Sequence, residues 1–208
     1  EWRAPLSVQY KAREVYARSQ LSGGPTLLAA LASLGRVDLS AASEPEITLA
    51  YANALMAADR LRLETMGHAA GKDSCTSHVS VVDRKGNMVA LTNTLLSRFG
   101  SKVMVPELEI LLNNGMMWFD PRRGRPNSIA PGEKPLANMS PVIALRGKTP
   151  EIAVGAAGGR KIVPAVAQIL SYLVDLNYSP EDAMHAPRID TSSDPLLINR
   201  AFSAETLQ

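Results

Sequence analysis

The chain has 208 residues, 46% apolar and 20% charged, with 22 basic against 20 acidic side chains and one cysteine. These values suit one ordinary globular domain, or at most two small ones, and exclude long disorder, collagen-like structure, an internal disulfide and any multi-cysteine metal site. A net charge of +2 with only 5% aromatic residues excludes the dense basic, aromatic-interleaved surface of a nucleic-acid binder, and no apolar run reaches the roughly 18–20 residues of a membrane span.

In chain order, residues 7–17 hold two short runs with β-branched and aromatic residues around a polar centre, which predicts a hairpin. Ser22-Gly23-Gly24-Pro25 breaks that pattern, and Pro25 suits the first turn of a helix that runs through the Leu- and Ala-rich segment 26–34 to Gly35. Pro45 opens a second helix, on which Ile47, Ala50, Tyr51, Ala54, Leu55, Ala58 and Leu61 recur at the spacing of one apolar face; it ends near Met66-Gly67. A glycine-punctuated loop from His68 to Ser74 leads to Cys75-Thr76. Val79, Val81 and Val82 then read as a strand, residues 83–87 as a turn and residues 88–95 as a second, antiparallel strand. Another apolar stretch, 105–119, surrounds Asn113-Asn114-Gly115, and residues 120–135 form a long Pro-, Arg- and Gly-rich loop. Strands at 140–146 and 151–155 precede an apolar helix at 160–176 with Pro164 in its first turn, and Ser179-Pro180-Glu181-Asp182 starts a short last helix. Helices, then strands in hairpins, then helices predict an α+β fold and not alternating βαβ units.

The three histidines, His68, His78 and His185, stand far apart and without metal-ligand spacing, so neither metal nor cofactor is expected; His78 alone reads as a hydrogen-bonded histidine at a strand's start. Gly155-Ala156-Ala157-Gly158-Gly159 follows a strand and opens a helix, but it lacks both dinucleotide and P-loop spacing. Consecutive glycine amides there can face a developing negative charge, an acyl-transfer oxyanion included; a tight, closely packed turn is the alternative. Cys75 and His78 are three apart, and on a strand such positions face opposite ways, which opposes a Cys–His pair. Thr76 is a weak nucleophile within a chain, but made N-terminal by cleavage it would carry its own base, an α-amine of pKa near 8.

Thr76-Ser77-His78-Val79-Ser80-Val81-Val82-Asp83, Gly86-Asn87, Thr92-Asn93-Thr94, Phe99-Gly100, Ile110-Leu111-Leu112-Asn113-Asn114, Pro135-Leu136, Met139-Ser140-Pro141 and Gly158-Gly159 together resemble the γ-glutamyltransferase (γ-glutamyltranspeptidase) family of N-terminal-nucleophile hydrolases. The resemblance implies a four-layer αββα sandwich. Residues 1–75 would be the tail of a large subunit and 76–208 the complete small catalytic subunit, family precursors being more than twice as long. It implies autoproteolysis before Thr76, association of the two subunit parts, and transfer or hydrolysis of γ-glutamyl groups through an acyl-threonine. Thr76 would be the nucleophile, Thr94 its orienting partner, and the Gly158 and Gly159 amides the oxyanion donors. A homodimer is left open, and a periplasmic or secreted location follows from the resemblance alone.

The departures fall on the substrate pocket. Leu96 stands where transpeptidases have a substrate-binding asparagine, Gly115 and Trp118 stand where they hold the substrate α-amine, and Ala137 and Asn138 replace a serine pair that holds the α-carboxylate. Leu96 and Trp118 cannot accept the charge-assisted hydrogen bonds of an α-amine, each of which contributes about 1.5–3 kcal/mol. Asp120 is placed to substitute after a small chain shift. Trp118 with Met116-Met117 suggests a wider apolar acyl pocket as in cephalosporin acylase-like relatives; Met116, Met117, Trp118 and Phe119 as plain core is the other reading. A non-catalytic, unprocessed fragment is the third.

Overall fold

The computed structural model describes residues 2–67 and 75–208; the loop expected at 68–74, with His68, lies outside the described residues. The strands are β1 (Leu6–Tyr10), β2 (Arg13–Ala17), β3 (Thr76–Val82), β4 (Met88–Thr94), β5 (Met104–Val105), β6 (Ile110–Leu111), β7 (Val142–Arg146), β8 (Thr149–Val154), β9 (Ile189–Asp190) and β10 (Leu197–Ile198). The helices are α1 (Gly23–Leu34), α2 (Glu44–Thr65), α3 (Ile162–Val174) and α4 (Pro180–His185).

Local chemistry sets most of these limits. Ser22 caps α1 by accepting the Gly24 N–H at 3.2 Å, Glu46 reaches back to the Ser43 N–H at 2.8 Å at the start of α2, and Ser179 accepts the Asp182 N–H at 3.0 Å at the start of α4. Pro25, Pro45 and Pro164 each fall in the first turn of their helix, where a missing N–H has no intrahelical partner to lose. The C-terminal strands β9 and β10 are two residues long, too short for an alternation to announce them.

Strands β1, β2, β7 and β8 form one antiparallel sheet in the order β1-β2-β7-β8, and β3 and β4 form a separate antiparallel ladder. One face of the four-stranded sheet, carrying Val15, Val142 and Ala144, joins Leu27 and Leu31 of α1 and Val166 and Leu170 of α3 in a single core. Each fully buried aliphatic side chain there contributes about 1.5–3 kcal/mol. The β3–β4 ladder lies against β7 and β8. Its outer face carries Val79, Val81, Val89 and Leu91, all more than half exposed, so among the described residues no second helical layer covers it.

On α2 the buried stripe is Tyr51, Ala54, Leu55, Ala58 and Arg62. This corrects the expected apolar face at its C-terminal end: Leu61 is 50% exposed and Arg62 only 4%. Positions 51, 55, 58 and 62 keep the four-three-four spacing of one helix face, and Leu61 lies one residue, about 100°, off it.

Candidate active site

The antiparallel register places Thr76 opposite Thr94 at one end of the β3–β4 ladder, which puts both side chains on the same face. The Thr76 hydroxyl donates to Thr94 Oγ1 at 3.0 Å, and Thr94 Oγ1 donates in turn to the Cys75 carbonyl at 3.2 Å. That carbonyl, the one preceding Thr76, also accepts the Leu95 N–H at 3.1 Å. The chain reverses at Leu96, whose φ of 69° is in the left-handed region that non-glycine residues seldom adopt. The turn aims the Leu96 N–H at Thr94 Oγ1 at 3.0 Å, while the Leu96 carbonyl accepts the Cys75 N–H at 2.7 Å. Thr94 therefore accepts from two donors and points its own proton at one peptide carbonyl.

Two residues further along the same face, His78 is opposite Thr92, with Nδ1 at 2.8 Å from Thr92 Oγ1 and Nε2 at 3.0 Å from Ser80 Oγ. Burial pushes its pKa below the ordinary imidazole value. Its ring lies directly on Gly155, where a β-carbon would fall 2.3 Å from Cε1. The end of β8 thus passes under β3 only because residue 155 has no side chain. From there the chain reaches Gly158 (φ 131°) and Gly159 (φ 61°), conformations that suit glycine, and a 3-10 turn over Gly159–Lys161 runs into α3. Neither the Gly158 nor the Gly159 N–H is engaged in a hydrogen bond among the described residues, so both remain able to bind an anionic oxygen.

The remaining sequence-predicted residues fall into two groups. Gly115 and Trp118 are in a 3-10 turn tied to the segment after Thr94: the Asn114 N–H donates to the Leu95 carbonyl at 3.1 Å, and Asn114 Oδ1 accepts the Ser97 N–H at 3.0 Å. Gly115 is buried, and a β-carbon on it would meet the Trp118 ring at 3.5 Å. Met116 and Met117 are exposed and only Phe119 is core, so the apolar run divides between surface and interior. Asp120 is already taken: Arg122 binds both carboxylate oxygens, at 2.9 and 2.7 Å, and holds the carboxyl down at about 2.

Ala137 and Asn138, both buried, run past the start of α1, where Ala137 N–H donates to the Leu21 carbonyl at 3.1 Å. Asn138 Oδ1 accepts from Arg62 Nη2 at 3.1 Å, Arg62 Nη1 reaches Asp59 Oδ1 at 3.1 Å, and Asp59 Oδ2 is 3.4 Å from Arg160 Nη2. Burial lowers the Arg62 pKa, and Asp59 opposes that shift. Asn138 is thereby joined, through Asp59, to the residue that follows Gly159. Sequence reasoning missed Arg62; the available signal was its place on the buried stripe of α2. Among the described residues no group of three or more His, Cys, Asp or Glu side chains is set to hold a metal, and no helix is long and apolar enough to cross a membrane.

A gamma-glutamyltranspeptidase family model matches residues 53–208. The chain belongs to the gamma-glutamyltranspeptidase family. Among similar members, the acylase ACY 1 proenzyme of Pseudomonas sp. (strain SE83) is 34% identical over 165 residues, covering 78% of this chain and 30% of the acylase. The glutathione hydrolase proenzyme of Bacillus subtilis (strain 168) is 36% identical over 118 residues, covering 57% of this chain and 20% of the hydrolase. The chain therefore spans less than a third of the length of these relatives. A cephalosporin acylase from Bacillus halodurans shares the fold, with a TM-score of 0.79 at 20% identity over 91% of this chain and 41% of the other.

Proposed function

We propose that this chain carries the catalytic part of an autocleaving N-terminal-threonine amidohydrolase or acyltransferase. The observation that carries the reading is the hydroxyl chain from Thr76 through Thr94 to the Cys75 carbonyl, at 3.0 and 3.2 Å, with Leu95 N–H as second donor to that carbonyl. In the maturation step Thr76 Oγ attacks the Cys75 carbonyl carbon, and the charge that grows on its oxygen is met by the Thr94 hydroxyl and the Leu95 N–H. Collapse breaks the Cys75–Thr76 amide, leaving an ester on Thr76 Oγ and a free α-amine; water hydrolyses the ester to a Cys75 carboxylate. Residues 1–75 then end one piece, the large-subunit tail, and 76–208 form the other, the small catalytic subunit.

In turnover the Thr76 amine serves as base for its own hydroxyl, which attacks the substrate amide while the Gly158 and Gly159 amides stabilise the oxyanion. The acyl-threonine passes to water or an amine. The αββα sandwich is completed in this reading by an outer helical layer over Val79, Val81, Val89 and Leu91, supplied by large-subunit chain beyond the segment described.

The γ-glutamyl group is the acyl donor the family implies. A second reading, an acylase for glutaryl- or cephalosporin-like amides, is favoured by one observation: the α-amine acceptors are replaced by buried Leu96 and by Trp118, and Asp120 is committed to Arg122. Incubating the full-length protein near pH 8, where an α-amine is about half neutral, should yield a piece beginning at Thr76 by intact mass. That material should then be assayed on γ-glutamyl and glutaryl anilides. A single uncleaved species with no turnover of either would overturn the proposal and leave the unprocessed-fragment reading.

A further inference from the structure

Three tyrosines and two carboxylates line a cleft of 390 Å³ in the helical layer, bounded by the start of α2, the C-terminal end of α3, the segment after α4 and Phe202. That volume is within the range of small-molecule sites. Tyr172 meets Tyr51 edge-on, with ring centres 5.9 Å apart at 80°, and stacks on Tyr178 at 5.5 Å and 13°. None of the lining residues belongs to β3, β4 or the glycine turn, so the cleft is separate from the Thr76 site.

Asp175 follows the last residue of α3, and its side chain is only 3% exposed. Its Oδ2 is fully engaged: the Tyr10 phenol and, at 2.6 Å, the Ser171 hydroxyl donate to it, and the Tyr51 phenol donates to Ser171 Oγ at 3.0 Å. Burial, reinforced by the Asp175 charge, pushes the Tyr10 phenol up and keeps it a donor. Asp175 Oδ1 accepts no hydrogen bond among the described residues. Its ionic neighbour, Lys11 Nζ, is 3.8 Å away and donates to the Val37 and Gly35 carbonyls at 2.6 and 3.3 Å. A buried carboxylate oxygen without a donor is costly, and a ligand that supplies one relieves that cost.

Glu44 brings the second carboxylate to the same cleft. Its Oε2 accepts the Ser203 N–H at 2.8 Å and the Thr206 hydroxyl at 2.6 Å, bonds that hold the carboxyl below its ordinary range, while Oε1 accepts none among the described residues. Among the described residues no Lys, Arg or His lines the cleft. Burial pushes the Tyr172 phenol up against the opposing charge of Arg188, whose Nη1 is committed to three carbonyls at the end of α4.

We propose that this cleft binds a primary ammonium group carried on an apolar or aromatic body. The open oxygens of Asp175 and Glu44 are the acceptors of its N–H groups, and Leu39, Ile47, Leu176 and the Tyr172–Tyr178 pair pack against the body. Tyrosine rings add attraction for a cation, whereas an anion is repelled by both carboxylates and a neutral alcohol gains no charge-assisted bond. Binding there does not depend on cleavage before Thr76.

The test titrates the full-length protein with phenethylammonium, phenylacetate and 2-phenylethanol, read by calorimetry and by NMR of labelled tyrosine rings. Phenethylammonium should bind about tenfold or more tighter than the other two, weaken with added salt, and shift the Tyr172 and Tyr178 resonances. Asp175→Asn keeps an acceptor for Tyr10 and Ser171, and Glu44→Gln keeps one for Ser203. Each should weaken phenethylammonium by about tenfold or more without weakening 2-phenylethanol. Should Asp175→Asn fail to fold, Glu44→Gln alone must show that selective loss. No binding of phenethylammonium to the unsubstituted protein, equal affinity for the three compounds, or a folded variant of either kind that binds as the parent does overturns the proposal.

Discussion

Replacing Thr94 by Val keeps the shape of the side chain and removes the one atom on which the candidate site converges. Three hydrogen bonds go: the donation to the Cys75 carbonyl at 3.2 Å, the acceptance from Thr76 at 3.0 Å and the acceptance from Leu96 N–H at 3.0 Å. The first is one of two donors on the carbonyl that would become an oxyanion, and losing one such donor typically slows the step by about 10²–10³-fold. The third leaves an N–H at the buried, left-handed Leu96 without its acceptor, at about 1–3 kcal/mol. For a chain of this size that corresponds to a fall in Tm of about 2–4 °C per kcal/mol.

Cleavage is followed by intact mass over time on freshly purified Thr94→Val, Thr94→Ser and unsubstituted full-length protein, with thermal melts on the same samples. Thr94→Ser keeps the hydroxyl and should cleave within about tenfold of the parent. Thr94→Val cleaving at the parent rate would refute the role given to the hydroxyl, and so would loss of cleavage only alongside general unfolding.

Gly155→Ala places a methyl group 2.3 Å from His78 Cε1, so strand β8 or the imidazole must move; Tm should drop and cleavage and turnover should both slow, and a variant that melts and reacts like the parent would show that the contact is unimportant. His78 has its pKa lowered by burial, so the unfolded chain binds its proton more readily: the stability this neutral histidine contributes is present above about pH 6.5 and is lost as pH falls through its folded pKa. The slope of Tm against pH in that window should flatten in His78→Gln, and an unchanged slope would assign the titration elsewhere. Trp118→Asp supplies an acceptor for an α-ammonium and should raise the γ-glutamyl-to-glutaryl ratio of kcat/KM about tenfold or more; a ratio that does not move would place Trp118 outside the acyl pocket.

Much of the site was legible because its chemistry is local. Thr76 and Thr94, paired at first only by the family resemblance, face each other because two strands joined by the turn at 83–87 pair in one register, and the short apolar run at 79–82 and the β-rich segment after Met88 announce both strands. The glycines at 158 and 159 were legible for a similar reason, since a glycine pair between a strand and a helix marks a backbone that no other residue adopts easily. Asp120 shows the limit. A carboxylate near the expected amine site suggested a substitute acceptor, and its arginine partner, only two residues on, commits both oxygens.

By itself the sequence determined the α+β character, the helix starts marked by Pro25, Pro45 and Ser179, and the hairpins. Caps, prolines and period-two alternation act over a few residues and tolerate any surroundings. Only the tertiary structure decided that Arg62 and not Leu61 is buried, that Gly155 is covered by an imidazole and that Leu96 turns left-handed. The physical reason is the same in each case. A buried donor, a missing side chain or a strained dihedral is stable only where the surrounding fold accommodates it: Asp59 meets the Arg62 charge from three residues away, but the second terminal nitrogen finds its acceptor on Asn138, 76 residues along the chain.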